Sequence, residues 1–172
     1  MPIRTATATD LPDLLGLLQL KAEFDGCPEA LKATPEKLKA TLFCDRPMAY
    51  ILLVETLADA TSQISTSQIP SRSVGFASYH FTYSTFLAQP SLWLDDLFIK
   101  DVYRNQALGT HLMRSLCQIA HDHGCGRIDW TVDVNNAAGI RFYQRMGGQL
   151  QTHVSLCRLD QLAIAAALSS NS

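Results

Sequence analysis

The chain has 172 residues, 47 % of them hydrophobic, which is enough to bury the core of one domain. Its formal net charge is −2 and its lysines and arginines are dispersed, which disfavours nucleic acid as a partner because phosphate neutralisation requires clustered cations. No apolar run approaches the length of a membrane span, and the first residues lack the apolar core of a signal peptide. Five scattered cysteines without a CxxC pair are typical of reduced thiols, so we predict a cytoplasmic protein with no metal site.

The spacing of apolar residues predicts elements in the order β-α-α-β-β-β-α-β-α-β. Strands are predicted at 3–8, 49–56, 73–85, 92–99, 127–134 and 151–159. Helices are predicted at 11–24, from 35 to about 43, at 106–123 and at 137–146, and the tail at about 161–172 has helical composition. A Ser-, Thr- and Gln-rich stretch at about 57–72 predicts a flexible loop within a single domain of residues 1–172. This order indicates an α/β fold with helices packed on a mixed sheet.

The strand at 92–99 runs through a turn directly into the long helix at 106–123. The turn holds small residues, which allow the backbone to approach a ligand closely, and the first N–H groups of the helix have no partner within it. Together with the helix dipole they form an anion site suited to a pyrophosphate, to which Arg104 adds a cation. The P-loop signature GK[ST] and the dinucleotide signature GxGxxG are both absent. From the turn alone, an ordinary strand-to-helix connection is an equally good interpretation.

Residues 104–110 (RNQALGT) resemble the Arg/Gln-x-x-Gly-x-Gly/Ala coenzyme A loop of the GNAT acetyltransferases. The segments IRTATATDLPDLLGLL, GFASYHFTYSTF, LWLDDLFIKDVYRNQALGTHLM and NNAAGIRFYQRMGG resemble, in order and spacing, the diamine acetyltransferase branch of that family. The resemblance implies a central, mostly antiparallel, twisted sheet flanked by helices, acetyl-coenzyme A as co-substrate, and a homodimer. Asn105 and Ala107 stand where the family has glycines. Alanine suits its position if its φ angle stays below zero.

The resemblance also implies which residues bind the coenzyme. Main-chain groups of Leu97 and Ile99, which flank Phe98, would pair with the pantetheine arm as an added strand does. The other side of the coenzyme would meet the start of the short helix. The residues implied for the pyrophosphate are Arg104, Asn105, Gln106, Ala107, Leu108, Gly109 and Thr110, and those for the other side are Asn136, Ala137, Ala138 and Gly139.

Two residues are implied to act in catalysis. Tyr143 corresponds to the general acid that protonates the leaving thiolate, a role suited to a phenol, which stays protonated at neutral pH. Asp95 corresponds to a glutamate that binds the substrate amine and helps remove its proton through water. On a regular strand Asp95 and Asp96 point to opposite faces, so only one of them can face the cleft. The alternatives are that Tyr143 is a half-buried structural aromatic and that Asp95 is a structural aspartate at a strand bulge.

A small cationic amine is the substrate that the resemblance favours, namely a diamine, a polyamine or a thialysine-like amino acid. Where the polyamine enzymes carry an acidic residue after the last glycine turn, this chain places Ser155, which favours a shorter amine. Acetylation of a protein or peptide amine and a non-catalytic acyl-coenzyme A binding module are the alternatives. Residues that match substrate contacts of the branch are Phe24, Asp25, Asp95, Asp96, Asp129, Trp130 and Thr131.

Overall fold

The computed structural model describes residues 2–56 and 73–169. These residues divide into two compact units, Met1–Thr131 and Val132–Ser172, which are described separately. The predicted loop at about 57–72 lies outside the described residues, and the single-domain organisation stays a prediction.

The first unit contains one five-stranded sheet in which the strands follow one another in chain order. Adjacent strands are antiparallel except for the last pair, which is parallel, so the prediction of a mixed, mostly antiparallel sheet is confirmed. The strands are β1 (Ile3–Thr5), β2 (Tyr50–Glu55), β3 (Ser73–Ser84), β4 (Gln89–Ile99) and β5 (Ile128–Trp130). β5 is much shorter than the predicted 127–134, because only these three residues pair with β4.

Three α-helices accompany the sheet: α1 (Leu11–Phe24), α2 (Pro35–Leu42) and α3 (Leu108–Asp122). α2 begins after Thr34, whose hydroxyl oxygen accepts the Lys37 N–H at 3.3 Å, and proline occupies its first position, where no N–H is needed. α3 ends at Asp122 with His123 as its C-cap, and Gly124 follows at φ 65°. This left-handed conformation stops the helix, and glycine adopts it without steric cost.

The core of the first unit lies on both faces of the sheet. On one face the aromatic rings of Phe76 and Phe98 pack with residues of β2 and with Leu14 and Leu17 of α1. α3 contacts β1, β2 and β4. Its fully buried Leu112 belongs to a stripe of buried residues linked by steps of three and four, the spacing that places side chains on one face of a helix. The remaining buried residues of that stripe are Leu108, Met113, Leu116 and Ala120.

The second unit contains α4 (Ala137–Arg145) and α5 (Gln161–Ser169), and the predicted helical tail is confirmed in α5. The predicted strand at 151–159 is wrong, since these residues are exposed and form no strand. A strand forms only where a partner supplies hydrogen bonds to its backbone, and these residues pair with no strand in the described part of the chain. Among the residues described, no helix combines the length and the apolar character needed to cross a membrane.

Candidate active site

A β-bulge lies on β4 at the predicted catalytic aspartate. β3 and β4 pair Ser78 with Asp96 and Tyr79 with Leu94, which leaves Asp95 as an extra residue without a partner on β3. The expectation of regular alternation between Asp95 and Asp96 is therefore wrong at this point, and a strand bulge is present at Asp95. The purely structural role of Asp95, like its catalytic role, is not decided by the bulge. Asp95 is exposed, and within residues 2–56 and 73–169 its carboxylate makes no hydrogen bond or ion pair. A bulge commonly re-aims a side chain beside a functional site, so it is compatible with the catalytic role, which stays a prediction.

The bulge coincides with the point at which β4 loses its second neighbour. β5 pairs with β4 only from Leu92 to Leu94, and beyond it no strand covers this edge of β4 in the described part of the chain. The Lys100 N–H donates to the Val74 carbonyl on β3 at 2.9 Å. Along an antiparallel strand the main-chain N–H and C=O groups of successive residues point alternately to one neighbouring strand and to the other. Leu97 and Ile99 therefore direct their main-chain groups toward the open edge, as pairing with a pantetheine arm requires. The Phe98 side chain between them is buried in the core.

The turn between β4 and α3 holds two non-glycine residues in the left-handed region. Asn105 has φ 61° and Ala107 has φ 60°. The condition that Ala107 keeps a negative φ is thus wrong, because Ala107 is the residue at which the chain turns into the helix. No side chain caps α3, and Asn105, Gln106 and Ala107 are exposed. Alternating left- and right-handed residues gather main-chain N–H groups into an anion-binding concavity.

The guanidinium of Arg104 is held by neighbouring groups and contacts the end of α1. Its Nε donates to the Ile99 carbonyl at 3.0 Å, and one terminal nitrogen lies 2.8 Å from the Asp101 carboxylate. Its central carbon lies 4.5 Å from the centre of the Phe24 ring, a cation–π contact. A pyrophosphate contact by this side chain stays a prediction.

The end of α1 brings one predicted substrate residue against the predicted coenzyme strand. The Phe24 ring is 51 % exposed and its centre lies 6.2 Å from that of Phe98. These two rings border an open cleft of about 470 Å³, whose lining is completed by Leu20, Glu23, Lys100, Asp101 and Val102. Neither Asp95 nor Asp96 lines it.

Two other predicted substrate residues, Asp25 and Asp96, share a cation that sequence reasoning missed. The Lys21 ammonium hydrogen-bonds to Asp25 and lies 3.2 Å from an Asp96 oxygen. The pKa of Lys21 is raised: burial lowers it, but the hydrogen bond that its ammonium donates to Asp25 and the charge of Asp96 outweigh burial. The four-residue spacing of Lys21 and Asp25 on a helix indicates their pair, whereas nothing local indicates the contact with Asp96.

The β5 residues lie beside the bulge and are half-buried. Trp130 is half-buried and is the partner of Leu94, which precedes Asp95. The Asp129 carboxylate accepts from the Arg127 Nε at 2.7 Å, and Thr131 is exposed. No group of three or more His, Cys, Asp or Glu side chains suited to a metal ion occurs in the described ranges.

In the second unit, the predicted coenzyme and acid residues share α4. The Asn136 side-chain oxygen caps this helix by accepting the Gly139 N–H at 2.8 Å, and Ala137 and Ala138 are exposed in its first turn. Tyr143 is half-buried, with its ring centre 5.1 Å from that of Phe142. Its general-acid role stays a prediction. Ser155, at the position of the missing acid, is exposed.

Comparison with known proteins places residues 35–148 in the Acetyltransferase (GNAT) family. An L-ornithine N5-acetyltransferase of Arabidopsis thaliana is 29 % identical, over 95 % of this chain and 86 % of its own length. A thialysine N-epsilon-acetyltransferase of Mus musculus is 28 % identical over 86 % of this chain and 83 % of its own length. A spermidine/spermine N(1)-acetyltransferase-like protein of Homo sapiens is 31 % identical over 84 % of this chain but only 20 % of its own.

Solved structures share the fold at low sequence identity. An integron cassette protein from the mobile metagenome of V. cholerae superposes with a TM-score of 0.74 at 22 % identity, covering 98 % of each chain. An aminoglycoside acetyltransferase from an uncultured soil metagenomic sample, in complex with sisomicin, gives 0.70 at 15 % identity, over 92 % of this chain and 96 % of its own. At these identities the likeness establishes the α/β fold alone.

Proposed function

Because this chain belongs to the GNAT acetyltransferase family and is an acyltransferase, we propose that it transfers acetyl from acetyl-coenzyme A to the primary amine of a small cationic substrate. The observation that carries the proposal is the bulge at Asp95. It leaves an exposed carboxylate beside the stretch of β4 whose Leu97 and Ile99 main-chain groups have no strand to pair with in the described residues.

The residues of the first unit suit a coenzyme. An extended pantetheine arm carries amide groups that the edge of β4 can pair with, as an added strand does. At the end of that strand, the left-handed residues Asn105 and Ala107 and the uncapped start of α3 offer main-chain N–H groups to a diphosphate. The acyl-coenzyme A would thus lie along β4 with its phosphates at residues 104–110.

The amine class follows from the relatives. The names of these relatives give ornithine, thialysine, spermidine and spermine as their substrates, and each of these is a small molecule with a cationic amine. Asp95 supplies a carboxylate at the bulge that suits such a cation, and Asp25 and Asp96 supply two more, which Lys21 contacts in this structure. We therefore propose a diamine, a polyamine or a thialysine-like amino acid as the substrate.

The proposed chemistry is a direct attack in a ternary complex. Asp95 would attract the substrate ammonium and accept one of its protons through a water molecule, which frees the nitrogen lone pair. The C–N bond to the acetyl carbon forms while the C–S bond breaks. Tyr143 would give its phenolic proton to the departing sulfur. The acetylated nitrogen loses its second proton to solvent, and the Tyr143 phenolate regains a proton from solvent, so that the neutral amide and the free thiol are the products.

A thiol-release assay over a panel of amines tests the proposal. The panel holds monoamines, diamines, polyamines, ornithine, a thialysine-like amino acid and a peptide with a free amine. We expect turnover with small amines and little with the peptide. Turnover of the peptide alone would favour the protein acetyltransferase, and tight coenzyme binding by calorimetry without any turnover would favour the binding module.

Two substitutions test the proposed catalytic residues against matched controls. Tyr143→Phe should lower the rate at least tenfold, about 1.4 kcal/mol of barrier, whereas Tyr83→Phe on the exposed end of β3 should leave it unchanged. Asp95→Asn should lower kcat/KM for amines, whereas the exposed Asp45→Asn should not. Unchanged kinetics in Tyr143→Phe or Asp95→Asn would remove that residue from the mechanism.

The proposal includes a cytoplasmic homodimer without nucleic acid, membrane or metal partners. Apolar side chains of the second unit, Val154, Leu156 and Leu159, are each more than 60 % exposed and suit burial against a second copy. Sedimentation analysis should give twice the mass of the chain. A monomer at micromolar concentration would contradict this part.

A further inference from the structure

Lys21 is an internal cation among the acidic residues at the end of α1. It lies in the last turn of the helix, and its side chain is only 19 % exposed. Its ammonium bridges Asp25, four residues later, and Asp96 on β4, so it connects the helix with the bulged strand.

The Asp96 carboxylate is fully engaged in this arrangement. One of its oxygens faces the Lys21 ammonium, and the other accepts the Ser78 hydroxyl at 3.3 Å. The Ser78 oxygen in turn accepts the Asp96 N–H at 3.1 Å, which fixes the residue directly after the bulge. Asp96 therefore holds its carboxylate in place for a cation, and in this structure the cation belongs to the protein itself.

A substrate ammonium at this position would need the same hydrogen-bond acceptors that Lys21 uses. A primary ammonium has three donors and binds between carboxylates as Lys21 does here. With Lys21 in place, a second ammonium would meet a like charge at contact distance and two carboxylates that are already neutralised in part. Like charges brought together in this way are a means of rejecting a ligand.

We propose that Lys21 determines substrate specificity within the proposed substrate class: its ammonium takes the position of a second substrate ammonium between Asp25 and Asp96. It thereby disfavours diamines and polyamines relative to amines of net charge one, such as butylamine or a thialysine-like amino acid. This inference rests on the proposed function, since it concerns the amine site of the same enzyme.

The test compares 1,4-diaminobutane with butylamine as acetyl acceptors. Lys21→Met should raise the ratio of kcat/KM for the diamine over the monoamine at least tenfold, mainly through a lower KM for the diamine. Lys21→Arg, which keeps the charge, should leave the ratio near that of the unmodified chain. Lys39→Met removes the same charge from an exposed position on α2 and should also leave it unchanged. Adding Asp25→Asn to Lys21→Met should reverse most of the gain.

Thermal unfolding separates specificity from a purely structural role. A folded Lys21→Met variant with lower stability and an unchanged ratio would overturn the proposal, as would an equal gain in Lys39→Met. Should Lys21→Met not fold, Lys21→Gln removes the charge but keeps a hydrogen-bond donor, and the same gain is expected.

Binding measurements distinguish failure of this inference from failure of the proposed function. If no amine is turned over, the proposed function fails, and calorimetry with 1,4-diaminobutane in the presence of coenzyme A still tests Lys21. Tighter diamine binding by Lys21→Met than by the unmodified chain supports the inference, and equal binding overturns it.

Discussion

The left-handed conformation of Ala107 predicts that glycine at this position stabilises the protein. A left-handed backbone costs an L-residue about 1–2 kcal/mol, and glycine loses about 0.5–1 kcal/mol more backbone entropy than alanine on folding. Ala107 is exposed, so the lost methyl group removes no core contact. Ala107→Gly should therefore raise the free energy of unfolding by roughly 0.5–1 kcal/mol, which for a chain of this length is a Tm increase of about 1–4 °C.

Ala88 provides the matched control, because it is also exposed and has φ 51°, but lies in the β3–β4 hairpin. Ala88→Gly should give a similar stability gain in chemical and thermal unfolding, and the two gains should add in the double variant. Replacement by valine should destabilise at both positions, because a β-branched side chain tolerates positive φ worst. Coenzyme affinity by calorimetry should fall in Ala107→Val and stay unchanged in Ala88→Val. A loss of stability in both glycine variants would refute the reasoning.

Three further predictions concern close contacts elsewhere. Gly75→Ala should lower the free energy of unfolding in urea by about 1–3 kcal/mol, because the added Cβ would lie 2.5 Å from the Phe98 carbonyl oxygen on β4. Gly16→Ala should raise it by about 0.5–1 kcal/mol, because Gly16 lies in α1 with open space around its added Cβ and alanine favours the helix. The pKa of Asp10 is lowered by its hydrogen bond with Arg4 on β1. The stabilisation of the folded state by this pair is therefore complete above the unfolded pKa of about 4 and is lost as the pH falls further. The stability difference between Asp10→Asn and the unmodified chain should accordingly shrink from pH 5 to pH 2, and a constant difference would exclude this pair as its cause. Asn136→Ala should lower the free energy of unfolding by about 1 kcal/mol, because α4 loses its N-cap. Gly139→Ala should also destabilise the protein, because its Cβ would lie 2.7 Å from the Asn136 amide nitrogen. Unfolding curves that match the unmodified chain would contradict both predictions.

Part of the candidate site was predictable from neighbouring residues. The small residues between β4 and α3 predicted a main-chain anion site, and the structure has an uncapped helix start there. The paired aspartates drew attention to the position of the bulge. Lys21 was missed because its second partner, Asp96, is 75 positions away, and a helix pattern reports only contacts within one or two turns.

The sequence by itself determined the type and order of nearly every element, because α3 has apolar residues at helical spacing and the strands β2 to β4 are short runs rich in apolar, aromatic and β-branched residues. The tertiary structure alone decided which predicted elements persist and where side chains point. The segment at 151–159 is not a strand because it has no paired neighbour, the Arg104 guanidinium lies on the Phe24 ring, and Asp95 is displaced by a register shift between β3 and β4. Each of these depends on atoms far apart in the chain, whose contact energies do not exist until the chain has folded.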